Sequence, residues 1–381
     1  MKKSNWIKLL FIIGALVTWS TGFAQEPAEQ EDAPAKPKTE KKATPPPIDN
    51  KPSLTAEKAD PGEELMKAAN SLDTALRYKE AARLYKKAIH QNKENALAYL
   101  KLAIDYHELG KDKRAFEQLA LVIHLKPDYA DAFIKRAEFE TDAGQYKAAG
   151  EDLKKAIEAE PRNKMGYFQR GILEQKTHKL VDAINDFTTS LDIDHAFANA
   201  FVELGHTRYL NKDYQWALID LGKAEAIDPH SFKLYKYTGL CKMALHDNKN
   251  AVAAFDKALE INQFDMDVLA NRTLAKINMN DYKSALEDCN KGLKFNPKDS
   301  QFYNFRGVAK SGTKDNKGAL EDLNKAIALK ADYSQAYVNR AAVKFAMGDK
   351  KGACEDLFTA DGMANEMASK LVDKYCNKKL K

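Results

Sequence analysis

Between residues 62 and 361, small and bulky apolar residues recur among polar ones in a register that repeats every 34 positions without an insertion. Of twelve prolines, eight fall between Pro27 and Pro61, and the other four, Pro127, Pro161, Pro229 and Pro297, stand 34, 68 and 68 residues apart. Cutting at that period gives nine units: 62–95, 96–129, 130–163, 164–197, 198–231, 232–265, 266–299, 300–333 and 334–361. A period of 34 is one helix–turn–helix unit, so the pattern predicts two helices, A and B, in each repeat.

Numbering positions 1 to 34 inside each unit shows how those helices should meet. Position 20 is alanine in all nine units, from Ala81 to Ala353, and position 8 is always small: Ala69, Ala103, Ala137, Gly171, Gly205, Gly239, Thr273, Gly307 and Ala341. Helices approach closely only where contact residues are small, so these positions mark the crossing of A and B. Bulky residues complement them at position 4 (Tyr99, Phe133, Tyr303 and their equivalents) and position 24 (Tyr85, Phe187, Phe255 and theirs). The four prolines stand at position 32, where they cannot continue helix B and so fix the turn to the next unit.

An aromatic at 4, small residues at 8, 20 and 27, a large apolar residue at 24 and proline at 32 resemble the tetratricopeptide repeat. The resemblance covers residues 62–361 and implies an all-α, right-handed superhelical α-solenoid of nine such repeats. It also implies a concave groove lined by the A helices, and a protein-binding rather than catalytic role. Residues 362–381, after Gly362, are expected to form a C-terminal capping helix, since terminal repeats need a polar outer face.

One residue type sits awkwardly on this pattern. Arg306 follows Tyr303 by three positions, on the inward stripe of a helix. Arginine also occupies position 7 in four other units, as Arg136, Arg170, Arg272 and Arg340, and position 23 of the same five units is Asp152, Asp186, Asp288, Asp322 and Asp356. Where arginine is absent the aspartate is usually absent too; Asp220, opposite Leu204, is the exception and reads as an orphan. A half-buried guanidinium is tolerable when clamped on a carboxylate. The pairs therefore read as intra-repeat structural ion pairs, with a row of arginines reading an anionic partner as the alternative.

The chain ends change the picture of location. Residues 1–24 have a basic start, an apolar stretch from Leu9 to Val17, and Gly22 and Ala24 at signal-peptidase spacing, which reads as a secretory signal peptide cut after Ala24. Residues 25–61 are a Pro/Glu/Lys-rich linker too polar to bury a core. The formal charge of +5 includes Lys2, Lys3 and Lys8, so about +2 remains after cleavage and no nucleic-acid partner is indicated. The mature chain should have no transmembrane segment. Export to a bacterial periplasm follows, with outer-membrane association or secretion as alternatives.

Chemistry-bearing motifs are missing. No HExxH, GxSxG, phosphate-binding loop or CxxC is present, and the eight histidines lack ligand spacing, so no enzyme activity, metal or cofactor is expected. In an exported chain, Cys354 and Cys376 could be bridged if the cap helix runs antiparallel to helix B of repeat 9. Cys289 replaces a core residue and Cys241 has no obvious partner.

In tetratricopeptide proteins groove-facing positions bind partners. The co-chaperone clamp for a C-terminal carboxylate is not matched here: Lys236, Leu240, Asn271, Gln301 and Phe305 keep two of five expected residues. What the groove offers instead is Phe168, Gln169, His206, Tyr209, Lys233, Lys236, Tyr237, Asn271, Asn304, Phe305 and Asn339, aromatic surface mixed with amides that suits a peptide. The junction of repeats 5 and 6, where Glu225 breaks an apolar column and the Arg and Asp vanish, is the first candidate partner site. The expected function is a non-enzymatic scaffold or adaptor of the cell envelope binding a protein or peptide. A periplasmic chaperone or peptide receptor, and a regulatory subunit of an envelope enzyme, are the alternatives.

Overall fold

A computed structural model describes residues 61–376, so the signal peptide and nearly all of the linker lie outside the described residues. The chain divides into two compact units between Ala196 and Phe197. The first contains α1 (Pro61–Thr74), α2 (Tyr78–Gln91), α3 (Ala96–Glu108), α4 (Asp112–Leu125), α5 (Ala130–Asp142), α6 (Tyr146–Ala159), α7 (Lys164–Lys176) and α8 (Leu180–Ile193). The second contains α9 (Ala198–Leu210), α10 (Tyr214–Ile227), α11 (Phe232–Ala244), α12 (Asn248–Ile261), α13 (Met266–Asn278) and α14 (Tyr282–Phe295). It continues with α15 (Ser300–Gly312), α16 (Asn316–Leu329), α17 (Ser334–Met347), α18 (Lys350–Gly362) and α19 (Glu366–Tyr375). Odd-numbered helices up to α17 are the A helices of repeats 1 to 9, each packed on the B helix that follows it, and α19 packs on α18. No strand occurs among the described residues.

The crossing of A and B follows the volume rule read from sequence. A Cβ on Gly171 would stand 2.8 Å from Phe187, one on Gly239 2.4 Å from Phe255, and one on Gly307 2.7 Å from Leu323. Position 8 is therefore small because position 24 of the same repeat fills its space. Repeat 7 reverses the sizes: Thr273 and Cys289 are both fully buried, the shorter Cys289 leaving room for the threonine. Thr273 satisfies its hydroxyl on the Leu269 carbonyl at 2.7 Å, a bond its burial requires. Between repeats the same logic holds at Gly292, whose missing Cβ makes room for Phe302 of the next unit at 2.7 Å.

Each A–B turn is closed by a residue with positive φ at position 15. It is glycine at Gly110, Gly144 and Gly348, but Leu76, His178, Lys212, His246, Asn280 and Lys314 in the other six repeats, with φ between 55° and 69°. The turn forces it, because the next residue's N–H must return to the A helix, as Lys111 does to the Tyr106 carbonyl at 2.8 Å and Asp315 to Lys310 at 2.9 Å.

Candidate functional site

The five arginines at position 7 all meet their own repeat's aspartate. Arg306 Nε and Nη2 donate to Asp322 Oδ2 and Oδ1 at 2.8 and 2.7 Å, and Arg340 does the same to Asp356 at 2.9 and 2.6 Å. Arg170 binds Asp186 at 2.6 and 2.8 Å, Arg272 binds Asp288 at 2.9 and 2.6 Å, and Arg136 forks onto Asp152. In four of the five, helix A places arginine one turn after a ring at position 4 and the guanidinium lies over it, at 5.3 Å for Arg306 on Tyr303 and 5.5 Å for Arg170 on Tyr167; in repeat 7 that position is Leu269. The aspartates are almost wholly buried, and their hydrogen bonds push the Arg306 pKa above its ordinary value. One face of each fork is thus consumed inside the fold.

Two further columns, unnoticed in the sequence, complete these clusters. In repeats 7 to 9, position 11 is Lys276, Lys310 and Lys344, whose Nζ atoms lie 2.8, 2.7 and 2.8 Å from the aspartates. There Nη1 of the arginine also donates to position 25 of the preceding repeat: to Asp256 at 2.7 Å, Asn290 at 3.0 Å and Asn324 at 2.7 Å. The position 11 column also corrects the reading of Asp220 as an orphan. Arg208, one turn beyond Leu204, hydrogen-bonds Asp220, and Lys223 stands 3.7 Å away. In repeats 3 and 4 the same position is Glu140 and Glu174.

The groove residues separate into two sets. His206, Tyr237, Asn304, Phe305 and Asn339 are at most 7% exposed and do not offer open surface. His206 and Tyr237 stack with ring centroids 3.9 Å apart, and Asn339 Nδ2 donates to Asn304 Oδ1 at 2.8 Å, because these positions seal one A helix against the next. Phe345 is buried for the same reason. Under the stacked pair, burial opposes the charge of Glu203, but hydrogen bonding with His206 and the charge of Lys233 hold its carboxyl below the usual range. Lys233 is exposed and Phe168, Gln169, Tyr209, Lys236 and Asn271 are half-buried, so these remain at the surface. Gln169 donates to Glu138 at 3.2 Å in the first unit.

At the repeat 5/6 junction, Glu225 is engaged rather than bare. It accepts from Lys257 Nζ at 2.9 Å and Tyr235 Oη at 3.1 Å, and the Lys257 bond lowers its pKa. The break in the apolar column is thereby a polar fastening of adjacent helices. At the other end, Cys354 and Cys376 are joined, with Cα atoms 5.7 Å apart, and tie α19 to α18; Cys241 and Cys289 are free and buried. Among the described residues no group of three or more His, Cys, Asp or Glu could hold a metal ion, and no helix is long and apolar enough to cross a membrane.

The tetratricopeptide repeat family model matches residues 130–163, the third unit of the period. No curated protein sequence matches the chain. Among solved structures, a tetratricopeptide repeat protein from Parabacteroides merdae ATCC 43184 superposes with a TM-score of 0.51 at 21% identity, covering 65% of this chain and 99% of that one. The hetero-tetramer Cut9–Hcn1 of APC/C gives a TM-score of 0.51 at 14% identity, over 83% of this chain and 76% of that one. At these identities the likeness is one of fold. With helix pairs at an unbroken period of 34 residues and the family's own model seated on one of them, the chain carries a tetratricopeptide repeat at residues 130–163 within an array of the tetratricopeptide-repeat fold.

Proposed function

We propose that this protein is a non-enzymatic scaffold of a bacterial cell envelope, exported by residues 1–24 and carried on the 25–61 linker. In this reading it holds a partner protein or peptide on the A-helix face of its repeats. The observation that carries it is the surface set Tyr209, Lys233, Lys236 and Asn271 on the successive A helices α9, α11 and α13. An aromatic ring, an amide and lysines on successive A helices suit an extended peptide: the amide can meet its backbone and the ring its apolar groups. The Cys354–Cys376 bond fits an oxidising compartment.

The test places a photo-crosslinking residue in turn at Lys236 and at Trp216, an exposed residue of a B helix. A defined partner adduct at 236 and none at 216 is expected, with adduct and envelope fractionation both lost when residues 2–24 are deleted. Equal labelling at both positions would end the A-face reading, and a cytoplasmic full-length pool would end the export reading. Tyr237→Ala is unsuitable here, since Tyr237 is 3% exposed and its loss would unpack His206.

A further inference from the structure

Buried carboxylate oxygens without a hydrogen-bond partner are concentrated in the first unit. They belong to Asp73 and Asp105 at the packing of repeats 1 and 2, to Glu140 in repeat 3 and to Glu174 in repeat 4. Each stands near another acid. Asp105, 1% exposed on α3, faces Asp73 of α1; Glu140 of α5 faces Asp152 of α6; Glu174 of α7 faces Asp186 of α8. Two neighbouring carboxylates away from water cannot both keep their charge cheaply, and a proton on one of them relieves the repulsion and turns a partnerless acceptor into a donor.

The surroundings do not supply a substitute cation in sufficient number. Around Asp105 the helices contribute Asp73 from α1, the Tyr78 and Tyr85 hydroxyls from α2, and Lys101 and Glu108 from α3 itself. Tyr85 has one proton for two acceptors, Asn70 Oδ1 at 2.7 Å and Asp73 Oδ2 at 2.5 Å. Around Glu140 stand Asp152, Glu151 and Lys155 of α6 and Arg136 of α5, but both near donors of Arg136 are spent on Asp152, and its Nε is 4.0 Å from Glu140. Around Glu174 stand Asp186 and Asp182 of α8 and Arg170 of α7, again forked onto its aspartate.

We propose that residues 61–196 carry three proton-binding sites, at Asp105 with Asp73, Glu140 with Asp152 and Glu174 with Asp186, and that proton binding there couples the stability of this unit to pH. Burial, and then the neighbouring acid, raise the Asp105 carboxyl from 3.8 to about 8 and those of Glu140 and Glu174 from 4.5 to about 7. At these three sites the folded unit thus binds more protons than the unfolded chain, so the stability they contribute is fully present below the ordinary carboxylate range. It falls as pH rises through the window that ends at about 7 to 8.

Amide hydrogen exchange of the full-length protein from pH 5 to 8, corrected for intrinsic rates, tests this in the wild type and in the triple variant Asp105→Asn, Glu140→Gln, Glu174→Gln. An amide mimics the protonated acid, so the triple variant should lose most of the pH slope in peptides of 61–196. At pH 8 it should gain about tenfold or more in protection there, with 197–376 unchanged. The five histidines of 61–196 are untouched, so the difference isolates the carboxyls. Should the variant misfold, proton release on urea unfolding of the wild type at pH 6 gives a second reading, about three protons per chain from these sites. A triple variant that keeps the wild-type slope, or unfolding without proton release, would overturn the proposal.

Discussion

Repeats 3 and 4 and repeats 7 to 9 share the pair of Arg at position 7 and Asp at position 23, yet the pair sits in opposite electrostatic company. In repeats 7 to 9 the buried aspartate has two cations within 3 Å, as Asp288 has Arg272 and Lys276, and the arginine's remaining nitrogen ties back to the preceding B helix. In repeats 3 and 4 the lysine becomes Glu140 or Glu174, and position 25 of the preceding repeat is Ala120 or Lys154, neither of which can accept. The B helices differ in the same sense. Asp247, Asp281, Asp315 and Asp349 cap the B helices of repeats 6 to 9, whereas those of repeats 1 to 4 start after Arg77, Lys111, Gln145 and Lys179 with no side-chain cap. One fold thus carries two levels of polar reinforcement along its length, and since repeat arrays are stabilised locally, substitutions should report locally.

The largest expected effect comes from removing the shared arginine. Arg170→Met strands Asp186 beside Glu174 and should cost about 3 kcal/mol in urea unfolding, in the range for breaking a buried pair. Arg306→Met leaves Lys310 on Asp322 at 2.7 Å and should cost roughly half as much. Adding Asp322→Leu should recover much of that loss. Equal costs in repeats 4 and 8 would remove the lysine from the account. An Arg306→Met protein of unchanged stability that no longer binds its partner would restore the reading of these arginines as an anion-recognising row.

Exchanging position 11 tests the comparison itself. Lys310→Glu gives repeat 8 the position 11 residue of repeat 4 and should cost about 1–2 kcal/mol, while Glu174→Lys should gain up to about 1 kcal/mol because Asp186 already has Arg170. Thermal melts at pH 7.5 with exchange mapping would locate each change. Same-sign effects would mean local packing, not charge, sets the difference.

Much of this was legible in the sequence, and the parts that were not share a cause. The period, the small-to-large complementarity of positions 8 and 24, and the Arg–Asp pairing each involve residues whose identity alone states the constraint: volume in Gly239 with Phe255, charge in Arg306 with Asp322. The position 11 column was equally present, but Lys, Arg and Glu there look like an ordinary solvated helix face, and only the fold shows Arg208 or Lys276 reaching a buried aspartate. The groove was overread because position 6 side chains such as Phe305 and Tyr237 point along the A-helix layer. Whether they meet a ligand or the next helix depends on interhelical distance, which periodicity does not encode.

The caps should give smaller, paired effects. Asp315→Ala removes the acceptor of the Gly318 N–H and should cost about 1 kcal/mol, and Lys179→Asp, which supplies that cap to repeat 4, should gain about 0.5–1 kcal/mol. A neutral Lys179→Asp would indicate that the start of α8 cannot adopt the capped geometry of α16.

The smallest effects belong to position 15, which cuts across that comparison. Gly110, Gly144 and Gly348 take the left-handed turn in repeats 2, 3 and 9, while Leu76, His178, Lys212, His246, Asn280 and Lys314 are forced into it in the others. A Cβ on Gly144 would meet nothing within 4 Å, so Gly144→Ala isolates the backbone cost and should lose about 1 kcal/mol. Lys314→Gly should gain only about 0.5 kcal/mol, because relief of the φ of 69° is offset by the freedom glycine adds to the unfolded chain. Urea midpoints at constant slope would resolve both. A destabilised Lys314→Gly would mean that the lysine's own contacts outweigh its backbone strain.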